Sequence, residues 1–458
     1  MNSSKKSQAP QPKLKRAIGV FSGSNILVGI MIGSGIFYIG SYVLQRSGMS
    51  MGLALMAWLL GGLITLLGSL CLAELGAMNP ATGGIYIYLS DAYSPIVGYM
   101  FNFQSMIIGG PGSVAAIAIA LPIAFRTLLP ISDLWVKIIA TSLIIIFTII
   151  NVLGVEVGKI VQNSFNVLKV LPLILIIILG IFWGRYIPNF TMNTRISTLS
   201  PVAIIKMVSF AIIASLWAYE GWTNLNTVAG EMKNPQKNLP RALLFSVGFT
   251  TIVYVLFNLA IYRTLSFGHI QSAINNGQLY LGTDVAKHFL GTSGNVLVAI
   301  SMALAMISAL NGMILAFARY YYAAAKDGLL WRVFAHVHPK FKTPDFSLWM
   351  QMLFSIILAW SRNLDQLTSL VVFSGAIFNM LTVLAVPLMR VRKPHVIRPY
   401  KVWGYPWTII IATISFLIIL SNNFFDDPVT SFIGLGIPLI GGIVYWIFKY
   451  YYHPINTN

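Results

Sequence analysis

Apolar and polar residues fall along this chain in long blocks, with stretches of about 18 residues or more carrying few charges, the length a helix needs to cross a bilayer. Twelve such stretches lie near 18–45, 51–76, 95–124, 133–153, 160–183, 203–229, 241–264, 288–323, 346–361, 366–390, 406–422 and 431–450. The ninth, "SLWMQMLFSIILAW", is the shortest. The pattern predicts an all-α integral membrane protein with 12 transmembrane helices. An even number of crossings puts both termini on one side. Lys13, Lys15, Arg16, Lys233, Lys237, Arg241, Arg390, Arg392 and Lys393 all flank that side, so both termini are expected in the cytoplasm of a cell that carries the chain in its plasma membrane.

Composition sharpens this picture. Of 458 residues, 57% are hydrophobic and 9% charged, and a mean hydropathy of +0.77 excludes a soluble globular domain. The formal charge of +18 would suit nucleic acid, but it is scattered over membrane-flanking loops and forms no face that could follow a phosphate backbone, so no nucleic acid is expected. Cys71 is the one cysteine and sits inside an apolar run, so no disulfide within the chain is possible. The basic N-terminal segment leads into a Gly-interrupted span without a small-residue cleavage site, and no removable signal peptide is expected.

Within the first span, "VGIMIGSGIFYIG" (28–40) holds four glycines in thirteen residues. Non-helical backbone survives at mid-membrane depth only where it lines a cavity or is buried in protein. The run therefore points to a break, with close helix packing through Gly29, Gly33 and Gly40 as the other reading. The sixth span tips the balance. Its segment "SLWAYEGWTNLNTVAGEMKNPQKNLPRAL" (215–243) puts Glu220 and Gly221 among Trp217, Tyr219 and Trp222 in apolar surroundings. A carboxyl at that depth is costly and marks a functional position by default. Paired interruptions in corresponding helices of two five-helix halves are the signature of an inverted-repeat transporter, here spans 1–5 and 6–10. Such breaks suit an amino-acid zwitterion. Half-helix N–H groups bind a carboxylate, and unwound carbonyls accept from an ammonium.

"GSGIF", "AELGAMNPATGGIYIYL", "AYEGW" with "GEMKNPQKNLPRA", "LNGMILAFARYYYAAAKDGLL" and "RPYKVWGYP" occur in that order over about residues 16–410. They resemble the amino acid-polyamine-organocation superfamily and, more narrowly, the bacterial branch of the L-amino acid transporter family. The resemblance implies a LeuT-type 5+5 inverted repeat with helices 1 and 6 broken, then two extra helices. The corresponding divisions are a cytoplasmic tail (1–16), a transport core (17–390), and a segment (391–458) holding helices 11 and 12 with the C-terminal tail.

By the same resemblance the substrate carboxylate meets the N–H groups of Ser34 and Gly35, with Gly33 at the turn. The carbonyls of Met31, Trp217 and Glu220 match positions that receive the amino group. Trp217 stands where the family carries a capping aromatic, usually Phe, and narrows the room for the side chain; core packing is its other reading. Thr223 would line the pocket with small residues of span 3. Glu220 departs from the commoner "AYGGW"; it could bond backbone while neutral, take up a proton, or attract a cationic substrate. Lys169, in "NSFNVLKVLPLILIIILG", either snorkels to the interface or, as the family's span-5 lysine, puts an ammonium where sodium-coupled relatives hold a cation.

The resulting expectation is a sodium-independent exchanger of L-amino acids, small neutral ones such as Ala, Ser or Thr, with a proton-coupled symporter of the same fold as the alternative and a non-transporting sensor or channel behind it. No enzyme is expected. No G-x-x-x-x-G-K-[ST] loop or nucleophile–base set occurs, the six histidines are scattered, and neither cofactor nor metal is expected. The family's animal members pair with a heavy chain through a loop cysteine. The corresponding loop here, "FRTLLPISDLWVK", has none, so no disulfide-linked heavy subunit is expected.

Overall fold

A computed structural model describes residues 18–33, 35–79, 84–127, 129–153, 171–190, 197–326, 328, 330–341 and 343–451. All regular structure among them is helical. In chain order the helices are α1 Val20–Met31, α2 Gly35–Arg46, α3 Met51–Met78, α4 Ile85–Ala92, α5 Pro95–Gln104 and α6 Gly110–Ala124. Then come α7 Asp133–Leu153, α8 Leu171–Trp183, α9 Pro201–Tyr219, α10 Pro235–Thr264 and α11 Phe267–Asn275. The remainder are α12 Leu281–Lys326, α13 Asp345–Ser361, α14 Leu364–Arg392, α15 Trp407–Asp426 and α16 Pro428–Tyr451.

Eight continuous helical runs among the described residues are long and apolar enough to cross a membrane. Two bent pairs qualify as one span each, and Leu173–Trp183 and Asp345–Ser361 are shorter apolar helices. The protein is an all-helical integral membrane protein. Its third span is not a plain helix: α5 and α6 are joined by a π-helical turn at Ser105–Gly109.

The apolar run near 288–323 corresponds to something different from a single straight crossing. Helix α12 turns at Gly291, whose φ of 67° and ψ of −161° lie outside helical space. The arms Leu281–Gly294 and Val298–Ile314 stand 111° apart. The run of apolar side chains continues through the bend, which hides it from a hydropathy reading. Together with α11, the first arm forms a short helical pair whose connecting tip, Leu279–Tyr280, is buried in the bundle. Ser41 Oγ donates to the Leu279 carbonyl at 2.7 Å, and the Tyr280 hydroxyl donates to the Ala120 carbonyl.

Helix α3 is the platform for the sixth span, and it is so because of a row of small residues. A Cβ at Gly61 would run into Ser215 Oγ, one at Gly68 would lie 2.9 Å from the Trp222 ring, and one at Gly76 would lie 2.6 Å from Asn226 Nδ2. Small residues on one face let two backbones approach closely where water supplies no hydrophobic drive between helices. The resulting proximity lets Tyr219 donate its hydroxyl to the Trp58 carbonyl at 2.9 Å and Asn226 donate to the Leu72 carbonyl at 3.1 Å. Cys71, on the same helix, is fully buried.

The two ends of the bundle are tied by buried charge. At one end Arg46 closes α2: its Nη2 donates to Asp365 Oδ1 and to Ser369 Oγ of α14, both at 2.8 Å. Its guanidinium also lies 3.9 Å from the centre of the Phe210 ring of α9. At the other end Glu74, 2% exposed, accepts from Arg390 Nε at 2.8 Å and Nη2 at 2.6 Å, and from the Val402 N–H at 2.7 Å. Arg398 caps the last turn of α14 by donating to the Met389 and Lys393 carbonyls at 2.7 and 2.9 Å. Removing one member of a buried ion pair leaves the other uncompensated, at a cost of about 3 kcal/mol. Glu74→Gln is therefore expected to lower the midpoint of thermal unfolding in detergent by several degrees, and an unchanged midpoint would deny the cluster any stabilising role.

Candidate substrate site

The first break is short. Helix α1 stops at Met31, where Ile32 N–H still reaches the Val28 carbonyl at 2.8 Å, and Gly33 N–H turns back onto the Met31 carbonyl at 2.8 Å. Helix α2 restarts at Gly35, its axis bent 54° from that of α1. Ser34, expected to present an N–H to the substrate, lies outside the described residues, as does Lys169.

The second break begins where α9 ends at Tyr219. Glu220 is extended (φ −57°, ψ 149°), with its N–H on the Trp217 carbonyl at 3.1 Å. Gly221 follows at φ +96°, a conformation side chains oppose, and a Cβ there would also run into Ile30 of α1. The chain then coils into a 3₁₀ segment, Asn224–Glu231, with Thr223 at its N-cap. A tight segment with poorer hydrogen-bond geometry is a usual form for a functional interruption.

The two breaks touch. A Cβ on Gly35 would sit 3.1 Å from Trp217 Cδ1 and 3.2 Å from Ala218 Cα. Any side chain at this position would push the start of α2 from the end of α9, by a few tenths of an ångström even for a single methyl. The indole Nε1 of Trp217 donates to the Tyr38 hydroxyl at 2.6 Å, and the Tyr38 ring meets that of Tyr280 at 5.9 Å between centroids. Trp217 therefore lies against Gly35 and is held at its indole N–H by Tyr38, which in turn packs on the buried Tyr280.

A residue that the pattern of the sequence left unmarked joins the halves. The Tyr254 hydroxyl of α10 lies 2.6 Å from the Met31 carbonyl and 2.8 Å from the Ala218 carbonyl. Its single proton is shared between an oxygen of the first break and one of the second. Tyrosines are common in membrane helices, so nothing in "TIVYVLFN" distinguishes this one. Once α10 is laid between the breaks, its role follows from geometry.

Of the expected site residues, Met31, Gly35 and Trp217 are brought together around Tyr38 and Tyr254. The carbonyls of Met31 and Trp217 each already accept an N–H from their own turn. A carbonyl has two lone pairs, so that of Trp217 retains capacity for a further donor, whereas that of Met31 is shared between the Gly33 N–H and the Tyr254 hydroxyl and would have to exchange one of them for a substrate ammonium. Gly33 is uncrowded: a Cβ there would lie 3.5 Å from its nearest neighbour, the Ile30 carbonyl oxygen. Glu220 lines a small cavity bordered by α3, α14 and α15, with no residue of α1 or α2 in its wall. Thr223 is partly exposed at the head of the 3₁₀ segment. Asn311 is a packing residue: Asn151 Nδ2 of α7 donates to its Oδ1 at 2.8 Å. Gly40 is likewise a packing position, hard against Asn258 of α10.

A membrane-embedded helical bundle with two interrupted helices meeting at a buried aromatic defines the class: a transporter, without the nucleotide-binding loop of a pump. The particular family is the amino acid permease family, to which this chain belongs; the family's profile matches residues 18–448. The chain is similar to the serine/threonine exchanger SteT of Bacillus subtilis (strain 168), at 32% identity over 438 residues covering 95% of this chain and 97% of that one. It is also similar to the b(0,+)-type amino acid transporter 1 of Mus musculus, at 30% identity over 445 residues, 96% and 89% of the two chains. Against the large neutral amino acids transporter small subunit 2 of Homo sapiens the identity is 33% over 452 residues, 96% and 82% of the two.

Proposed function

We propose that the protein exchanges small neutral L-amino acids across the plasma membrane by alternating access, without sodium. The observation that carries this reading is the contact of the two breaks at Gly35 and Trp217. It leaves peptide groups of two interrupted helices side by side at a buried point, where a carboxylate and an ammonium can both find backbone partners. The amides of Ser34 and Gly35, with Gly33 at the turn, take the carboxylate. The carbonyls of Met31, Trp217 and Glu220 take the ammonium, and Thr223 borders the side chain. The names of the relatives, exchangers and transporters of amino acids, support the same reading. In it the chain has the twelve-span, 5+5 inverted-repeat arrangement within 17–390 and both termini in the cytoplasm. The buried position of Cys71 supports a chain that works without a disulfide-linked heavy subunit.

Trp217 is held by Tyr38 and packed on Gly35, so it cannot swing aside without breaking a buried hydrogen bond. It therefore restricts the side chain of the substrate. In proteoliposomes loaded with labelled serine, unlabelled Ala, Ser and Thr are expected to compete at least about tenfold better than Trp or Arg, a difference of about 1.4 kcal/mol. Strong competition by Arg would give the specificity to Glu220 instead. Lys169 supplies the positive charge that a sodium ion would otherwise bring, so replacing sodium by choline leaves exchange unchanged. Sodium-dependent exchange, or accumulation that follows a pH gradient without substrate on the opposite side, would overturn this reading.

A further inference from the structure

The cavity lined by Glu220 has no residue of α1 or α2 in its wall, although the backbone carbonyl of the same residue belongs to the proposed amino-acid seat. Its volume is about 10 Å³, roughly the room one water molecule needs. The polar residues in its wall are Thr65 of α3, Glu220 itself and Asn379 of α14, and the others are apolar or aromatic side chains, Trp222 among them. Among the described residues no Lys, Arg, His or second acidic residue borders it.

The Glu220 carboxyl has the Gly221 N–H as a partner but no cation among the described residues, and a carboxylate without a counter-charge is costly to keep ionised in such surroundings. Among the described residues the charged groups on the elements packed around it are remote, and on α9 itself Lys206 lies fourteen residues from Glu220. On α3 the next is Glu74, nine residues from Thr65, already neutralised by Arg390. On α14 Arg390 and Asp365 lie eleven and fourteen residues from Asn379, and on α15 Asp426 lies ten from Phe416. With a helical rise of about 1.5 Å per residue, each is at least about 10 Å from the nearest wall residue along its helix, the shortest interval being the seven residues from Asp365 to Val372. The nearby phenols are committed: Tyr219 to the Trp58 carbonyl, and Tyr254 to the carbonyls of the two breaks. Thr65 gives its hydroxyl proton to the Gly61 carbonyl at 2.8 Å, so its oxygen faces the cavity side as an acceptor only. The Asn379 amide carries both a donor and an acceptor and can pair with the carboxyl in either protonation state; what the wall lacks among the described residues is a counter-charge.

We propose that the side-chain carboxyl of Glu220, as distinct from the backbone carbonyl that serves the substrate seat, is a proton-binding site whose proton is held while the cavity is closed and released when α9 parts from α3 or α14 and water enters. Because Glu220 is the residue at which α9 ends, any movement of the second break opens or closes this cavity. A group that binds a proton in one conformation and releases it in another makes the balance between them depend on pH. This second clause rests on the exchanger reading above. The proton site itself does not.

The test has two arms on the full-length protein. In lipid nanodiscs, difference infrared spectra across a pH series follow the C=O stretch of a protonated carboxyl. A single-proton step is expected in the wild type, absent from Glu220→Gln and displaced in Asn379→Leu, which alters the cavity wall but leaves the carboxyl in place. In proteoliposomes, wild-type serine exchange is expected to fall about tenfold per pH unit above that step, with the fall displaced in parallel in Asn379→Leu. A step that persists in Glu220→Gln, or one that Asn379→Leu does not move, overturns the proposal. Should Glu220→Gln fail to fold, the displacement in Asn379→Leu decides alone. A proper infrared step without serine exchange at any pH sinks the exchanger reading and upholds the proton site. Exchange without the step does the reverse.

Discussion

Gly35→Val is expected to abolish exchange, by at least about a hundredfold, while leaving expression and membrane insertion intact. Two independent constraints meet at this residue. A Cβ there begins 3.1–3.2 Å from the Trp217 ring and the Ala218 backbone, so a branched side chain must push the two interrupted helices apart. Valine is also stiff at χ1 and would stand over the first amides of α2, which the proposed seat offers to the carboxylate. Gly35→Ala, adding a single methyl, should keep a measurable fraction of activity, because a displacement of a few tenths of an ångström accommodates it. Uptake of labelled serine, normalised to protein recovered as a monodisperse peak, checks both variants. Wild-type exchange by the valine variant would remove the first break from the substrate site.

Tyr254→Phe is the second large effect. The change removes one oxygen and leaves the ring in place, so packing against Trp58, whose ring centroid lies 5.4 Å away, is retained. What is lost is the proton shared by the Met31 and Ala218 carbonyls. Leaving a buried acceptor with one partner fewer costs about 1–3 kcal/mol, and here both breaks lose the same tie. Exchange is expected to fall about tenfold or more, with apparent affinity altered more on one face of the membrane than on the other, because the hydroxyl stabilises one relative placement of the two breaks. Sided exchange in oriented proteoliposomes measures this. Kinetics equal to wild type on both faces would reduce the hydroxyl to a packing detail.

Much of the architecture is legible in the sequence because the bilayer enforces a simple code. The limits 133–153 and 95–124 coincide with the residues of α7 and of the α5–α6 span, and the interruption at 220–223 is signalled by a carboxyl and a glycine where neither is cheap. Other features escape that code. The bend at Gly291 lies within continuous apolar sequence, and hydropathy is blind to direction. Tyr254, Tyr38 and Tyr280 carry no local signal, since their importance arises from residues far along the chain, at separations of 36 and 223 for the two partners of Tyr254, that only folding brings into reach. Glycines are equally ambiguous. Gly35 and Gly40 sit about one helical turn and a half apart in the same run, yet the first meets the second break and the second packs on Asn258. The orientation of Glu220, away from the first span, follows from how α9 lies on the small-residue row of α3, and no motif encodes that.

The solitary thiol also makes the molecule convenient to interrogate. Cys71 is sealed inside α3 with no exposed surface, so in this conformation the native protein offers maleimides and methanethiosulfonates nothing to react with. A cysteine introduced on the Leu279–Tyr280 tip or at the rim of the 3₁₀ segment would report its own accessibility against a blank background, without first stripping the chain of endogenous thiols. Labelling rates with and without serine on each side would then trace, position by position, which wall of the permeation path is wetted at each stage of the cycle.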